Sequence, residues 1–306
     1  MSNPLRRPGF TMLSVLWLLA LAGGITLGAL AESRVAIDAS RHRVTKQRGA
    51  WEARGCLAEL RATLDRAIRD VSSSEQRLRW RTLDEFAVAT NTRRFDCMTQ
   101  VVPVGLRVDI NAAESDEVLR LLRAAGVGGN APELAGAIHA RRNVSDGRSA
   151  QGPAIDRLQL QGPELQRTRP FESDAELRLI PGLEQDVAVT VYLGVESGRV
   201  SLMHAPAPVL QSLPGFSDDA VLYLLALRQS PRSVGSLQDV VAAAPSSARA
   251  RLMAAFEQLS LRATLDPDGW RLIATVRDSR TGGRTTVEQE VRRQSDGLLL
   301  ARESTW

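Results

Sequence analysis

The sequence predicts an α+β fold: a long N-terminal helix laid on a C-terminal antiparallel sheet, with a large all-α insertion built from two helix-hairpin lobes. Three observations carry that prediction. Phe10–Ala31 is an uncharged run of 22 residues, and a one-sided helical stripe follows it. Asn111 to about Pro245 keeps a helical pattern punctuated by Pro-Gly turns. The C-terminal residues alternate apolar and polar side chains at the period of half-buried strands.

A bilayer core of roughly 30 Å needs about 20 apolar residues in a helix, so Phe10–Ala31 can span it. Arg6 and Arg7 precede the run, which keeps that end cytoplasmic and places the rest beyond the membrane. In a bacterium this describes a single-pass inner-membrane protein with its C-terminal bulk in the periplasm. Ala29-Leu30-Ala31 also fits a small-x-small signal peptidase site, although the apolar run exceeds the roughly 7–15 residues of a signal h-region. After the run, Ala53, Leu57, Leu60, Leu64 and Ile68 recur at i, i+4 and i+7. No proline occurs from Phe10 to Val102, so one helix over about Phe10–Val71 is allowed.

Toward the C-terminus, Trp270, Leu272, Ala274 and Val276 alternate, as do Thr285, Val287, Gln289 and Val291. Leu261–Leu265 and Leu298–Glu303 complete an expected four-strand meander, with turns at Asp266-Pro267-Asp268-Gly269, Gly282-Gly283 and Asp296-Gly297. Its apolar face needs a cover, and the Leu57/Leu60/Leu64 stripe supplies one. Phe95–Val102 and Leu106–Ile110 are candidates for earlier strands or a hairpin. The inserted block contains an internal echo: Arg107–Ala113 leads into a Leu-rich helix, and Arg199–Pro206 leads into another. Leu179–Leu183 and Leu213–Phe216 have the outline of helix–Pro-Gly–helix hairpins, and Asn143–Pro163 reads as a mobile loop.

Composition excludes much chemistry. Lys46 is the only lysine against 38 arginines, and it fits neither a phosphate-binding Walker loop nor a Ser-x-x-Lys pair. His42, His139 and His204 are too far apart in sequence for a zinc motif, and G-x-S-x-G is missing. The reading is therefore non-enzymatic. A net charge of +4 and a pI near 9.8 arise from arginines interleaved with acids, which describes a solvated surface. Asp266 and Asp268 lack the downstream glutamate of a calcium loop and read as a turn. Cys56 and Cys97 are either a disulfide tying the stem helix to the next segment or two buried thiols; an oxidising compartment favours the bond.

Four pieces of sequence, taken in order, resemble the minor pseudopilin called type II secretion system protein K. They are the basic residues before Gly9-Phe10, Val108–Ala113 before a Leu-rich helix, Pro170–Leu183, and Ala205-Pro206 through Leu213–Phe216. The resemblance implies a pilin-like fold and a division into a leader (1–9), a transmembrane and filament-core helix (10–31), an α/β domain (32–110 and 246–306) and an inserted helical domain (111–245). It implies cleavage after Gly9 and N-methylation of Phe10 by a prepilin peptidase. Ser14 stands at the fifth mature position, where most pilins carry a glutamate that neutralises a neighbour's N-terminus; a subunit at the very tip has no such neighbour. The implied role is capping the pseudopilus tip with minor pseudopilins I and J. Further implied contacts are the inner-membrane assembly platform, secreted cargo and the outer-membrane secretin.

This sequence departs from the family twice. Met203-His204 replaces the usual Asn-Thr, and the acidic run of a domain that can hold calcium is reduced here to Asp146. No strong calcium site is expected; Asp146, Asp156, Glu172 and Asp174 are the nearest candidates. Two rivals remain open. A membrane-anchored, competence-type helix-hairpin-helix protein would bind DNA, but both hairpins lack the second glycine that lets a phosphate approach, and Asp218 and Asp219 stand in its place. A minor pilin of a type IV pilus shares stem and meander but does not account for the insertion. No nucleic-acid partner is expected.

Overall fold

The computed structural model describes residues 8–70, 73–91, 94–142, 170–180, 182–183, 187–195, 198–229, 234–294 and 297–305. Asp146, Asp156 and the whole expected loop Asn143–Pro163 lie outside the described residues. Helix α1 runs Pro8–Arg69, 62 residues, about 93 Å at 1.5 Å per residue. Its first half presents apolar side chains outward all round: Leu13, Leu16, Trp17, Leu18 and Leu27 are each more than half exposed. Its second half is one-sided, and Ala53, Leu57, Leu60, Leu64 and Ile68 are fully buried, as their spacing predicts.

Helix α2 (Ser73–Arg81), a 3₁₀ turn (Leu83–Glu85), β1 (Ala89–Asn91) and β2 (Phe95–Pro103) complete the N-terminal part of the head. The inserted block then contains β3 (Val108–Asp109), α3 (Ser115–Ala124), α4 (Ala131–Arg142), a 3₁₀ helix (Asp174–Leu179), α5 (Val187–Tyr192) and β4 (Leu193–Gly194). It continues with β5 (Val200–Ser201), α6 (Ala207–Ser212), α7 (Asp218–Arg228), α8 (Leu237–Ala243), α9 (Ser246–Ala254), α10 (Phe256–Arg262) and β6 (Ala263–Thr264). The chain returns as β7 (Gly269–Asp278), β8 (Arg284–Gln294) and β9 (Gly297–Thr305).

The main sheet is antiparallel throughout, in the order β1-β2-β7-β8-β9. The expected meander is corrected in one strand. Leu261–Leu265 does not join it: Leu261 and Arg262 end helix α10, and Ala263–Thr264 pairs in parallel with Val200–Ser201. The place beside β7 belongs to β2, whose Phe95, Cys97, Thr99 and Val101 are all buried on the helix side. Leu106–Ile110 likewise stays outside the sheet, since Val108–Asp109 pairs in parallel with Leu193–Gly194. Two-residue alternation in Leu261, Ala263 and Leu265 is too short to tell a helix end plus a short parallel pair from a strand.

Two cores result. One lies between α1 and the sheet, around Leu57, Leu60, Leu64, Leu272, Ala274, Val287 and the stacked pair Trp80–Trp270, whose ring centroids are 5.0 Å apart. The other fills the helical block from Val108 to Leu265. Ala248, Leu252 and Leu259 belong to this second core, so α9 and α10 pack with the block, whereas the division implied by the resemblance puts 246–306 with the sheet. Burying aliphatic side chains on both sides of the chain return gives each core its own hydrophobic stabilisation, about 1.5–3 kcal/mol per large side chain. The α1 backbone comes close to β8 at Gly49, where a Cβ would lie 2.5 Å from Thr285 Oγ1, so only glycine fits. Cys56 on α1 and Cys97 on β2 are bonded, with Cα atoms 6.8 Å apart. A bond closing 41 residues of chain corresponds to about 4 kcal/mol in the chain-entropy account.

Candidate functional site: the stem and the repeated helical unit

The α1 stem continues well past the apolar run before the head begins to cover it. The first buried stem residues are Gly49 and Ala50, about 27 Å along the helix from Ala31, and the turn between β7 and β8 already flanks the stem at Asp38–Lys46. Along this exposed length Leu30, Ile37, Val44 and Trp51 fall at seven-residue intervals, with relative exposures of 59%, 47%, 41% and 70%. One apolar residue per heptad gives a partner helix a narrow seam, half of the a/d pair of a coiled coil. The helix is long and apolar enough to cross a membrane, with a mean hydropathy of 1.8 over its best window. Gly9, Phe10 and Ser14 all lie within α1.

The helical block is two copies of one plan. In the first, Ala112 and Ala113 donate their N–H groups to Asp109 O at 3.1 and 2.8 Å; in the second, His204 and Ala205 donate to Ser201 O at 3.1 and 2.8 Å. Each copy follows this turn with two helices, α3–α4 and α6–α7. The second helix ends in an arginine that returns to the turn. Arg142 donates to Ile110 O at 3.0 Å and to Ala113 O; Arg228 donates to Leu202 O and Ala205 O at 2.6 Å each. Burial lowers the pKa of both guanidinium groups, that of Arg228 to about 10; Arg262 adds to the effect at Arg142. Further on, Glu172 N–H donates to Glu176 Oε1 at 3.2 Å, and Gly235 N–H donates to Asp239 Oδ2 at 3.1 Å. Each copy closes with a two-residue parallel strand pair. The echo in the sequence was thus legible, but the returning arginines were not, because they lie far from the motif they serve.

Two of the sequence motifs meet at Asn111. Its Nδ2 donates to Phe171 O at 2.9 Å and its Oδ1 accepts from Phe171 N–H at 2.8 Å, joining Val108–Ala113 to Pro170–Leu183. In the second copy the residue at Asn111's place is Met203, and the carbonyl at Phe171's place, Val234 O, is taken by Arg81 Nη2 at 3.0 Å from the sheet frame. Arg81 also pairs with Asp266. His204 lies beside this junction, 3.0 Å from both Ser201 Oγ and Arg81 O. A carbonyl only accepts, so Nε2–H donates to Arg81 O and Nδ1 accepts from Ser201. Burial holds this imidazole below its ordinary pKa, against the Arg81 carbonyl and Asp84, which favour the charged form.

The candidate calcium residues are otherwise engaged where they are described. Asp174 accepts from Arg107 Nη1 at 2.6 Å and from Val195 N–H at 2.8 Å. Burial opposes its charge, but these donors together hold the carboxyl below the usual carboxylate range. Glu172 is exposed beside Glu176, whose carboxylate faces Arg141 at 3.0 Å. No group of three His, Cys, Asp or Glu side chains converges among the described residues. Of the two expected hairpins, Leu213–Phe216 joins α6 and α7 as its outline predicts, and the other departs from it. Asp174–Leu179 is a 3₁₀ helix, so Leu179–Leu183 does not join two α-helices; the counterpart of Leu213–Phe216 is the turn between α3 and α4. At Gly215 (φ +77°) a Cβ would lie 2.9 Å from both Ala255 Cβ and Arg251 O. That glycine is packed on α9.

Neither a protein-family model nor a curated protein matches the sequence. Among solved structures, the chain is similar to one in the crystal structure of the GspK-GspI-GspJ complex from the enterotoxigenic Escherichia coli type 2 secretion system. The TM-score is 0.63 at 12% identity, covering 87% of this chain and 99% of that one. The chain shares that fold. The sheet frame and stem alone make up only about half of the 306 residues, so a match of this extent includes the helical block.

Proposed function

We propose that this chain is a minor pseudopilin of a type II secretion system, occupying the place of GspK in that complex. The observation that carries the reading is a match extending over both the stem-and-sheet frame and the doubled helical block. A pilin-like frame alone would fit many filament subunits; the block is what distinguishes this one. The exposed heptad stripe Leu30–Ile37–Val44–Trp51 supports the same reading, since it offers a partner helix a seat beyond the membrane. The partners are the counterparts of GspI and GspJ, and the role is structural, without catalysis. A wide lobe on the head obstructs copies stacked above it, which favours the end of the fibre. Ser14, in place of the usual glutamate, fits a subunit with no neighbour above it.

Processing by a prepilin peptidase at Gly9–Phe10 and an inner-membrane location belong to this proposal. The test is expression with and without that peptidase, followed by mass spectrometry of the mature N-terminus. A peptidase-dependent, methylated Phe10 is the expected result; an N-terminus at Glu32 whether or not the peptidase is present would overturn it. Co-purification with the two partner pseudopilins tests the assembly role, and a Trp51→Glu substitution in the stripe is expected to weaken it at least tenfold.

A further inference from the structure

Between the sheet frame and the second helical copy lies a cleft of about 860 Å³. The frame supplies Gln76 and Trp80 from α2 and Arg293 and Gln294 from the end of β8; the block supplies Gln238 and Phe256 opposite them. We propose that this cleft binds an acidic segment of another polypeptide, with Arg293 as its anchor.

The charge arrangement points to an anion. The cleft's two carboxylates are already matched: Asp266 pairs with Arg81, and Asp268 accepts from Nε and Nη2 of Arg199 at 3.1 and 2.9 Å. Arg293 is the remaining charge, and no acid pairs with it among the described residues. Its guanidinium lies over the Trp80 ring, 4.9 Å from the centroid, and Trp80 is in turn stacked on Trp270. A cation held on a buried aromatic ring has already lost much of its side-chain freedom, so a carboxylate meets a positioned donor. Arg81 fastens the floor of the cleft to both cores through Asp266 and Val234 O, so the walls are preformed.

Size and surroundings select a peptide over other anions. A volume of this order accommodates several residues, far more than one inorganic ion needs. Gln76 and Gln294 on one wall and Gln238 on the other carry side-chain amides without a hydrogen-bond partner among the described residues, suited to peptide N–H and C=O groups. Phe256 offers an apolar contact beside them. A lipid headgroup is out of reach, because Arg293 pairs with Leu298, whose N–H reaches Asp65 on α1, about 51 Å along the helix from Ala31.

The test uses the full chain in detergent micelles and a fluorescein-labelled decapeptide of alternating Glu and Ala, read by anisotropy. A Lys/Ala decapeptide and inorganic phosphate serve as comparisons. Binding of the Glu/Ala peptide is expected to weaken at least tenfold in Arg293→Glu and to tighten at least threefold in Gln238→Arg, which a folding defect cannot produce. Equal binding of both peptides, or affinity unchanged by both substitutions, would overturn the proposal. Displacement by phosphate at the peptide's own concentration would also overturn it, marking a small-anion site. No secretion partner enters this assay, so its failure leaves the assembly role standing, and failure of that role leaves the cleft to be judged by the assay.

Discussion

The two helical copies share a backbone plan but are fastened differently. In the first, the turn is fastened from inside the copy: Asn111 holds both the N–H and the C=O of Phe171, and Arg142 holds Ile110 O and Ala113 O. The second keeps its returning arginine, Arg228, but has Met203 where the first has Asn111. Arg81 from the sheet frame occupies the vacated carbonyl of Val234, and His204 adds a bond back to Arg81 O. A buried backbone carbonyl must find a donor, and a distant guanidinium serves as well as a nearby amide. Losing one side chain has thereby tied the second copy to the frame. This explains how the second copy keeps the shared plan with Met203-His204 at this place.

The largest effect that breaks the shared plan is removal of the returning arginines. Arg228→Met leaves Leu202 O and Ala205 O without their donor and is expected to lower stability by about 3 kcal/mol. Arg142→Met is expected to act in the same direction on the first copy. Urea unfolding of the full chain in micelles measures both, and an unchanged midpoint for either would refute the equivalence.

Next in size is the difference itself. Arg81→Met should cost about 2 kcal/mol, and Met203→Asn in that background should recover part of it by giving Val234 O an amide donor. Thermal unfolding of the single and double variants decides this; no recovery would mean that Met203 and Asn111 are not equivalent. Asn111→Ala should cost a similar amount, about 2 kcal/mol. Its faster amide exchange should be confined to 170–180, with no change at 234–243.

The smallest effect is pH-dependent. His204 has a folded pKa below its unfolded value of about 6.5, so its contribution is complete above that value and is lost as pH falls through the folded pKa. Between about pH 7 and pH 5 the thermal midpoint should fall, and less so in His204→Asn. An equal fall in both proteins would remove His204 from the junction. Asp278 behaves in the same sense at lower pH: Arg94 holds its carboxyl at about 2, so its contribution is present above the free aspartate value and lost on strong acidification.

Much of the fold was legible because it rests on period. The stripe Ala53–Ile68 announced a helix on a sheet, and Trp270–Val276 and Thr285–Val291 announced its strands. The membrane-length run and the echo of Arg107–Ala113 in Arg199–Ala205 were also written in local order. Less was legible at the candidate surfaces. Trp51 sits near the buried stripe, and only the packed helix separates its face from that of Leu57. Arg293, Trp80 and Gln238, far apart in sequence, meet only when the block docks on the frame.

The sequence by itself determined the elements, because hydrophobic periodicity and turn residues act over a few neighbours. Tertiary structure alone decided which strand lies beside β7, why Leu261–Leu265 leaves the sheet, and which donor each buried carbonyl receives. Those choices depend on pairing between residues distant in the chain. There, the same need for a partner can be met by Asn111 in one copy and by Arg81 in the other.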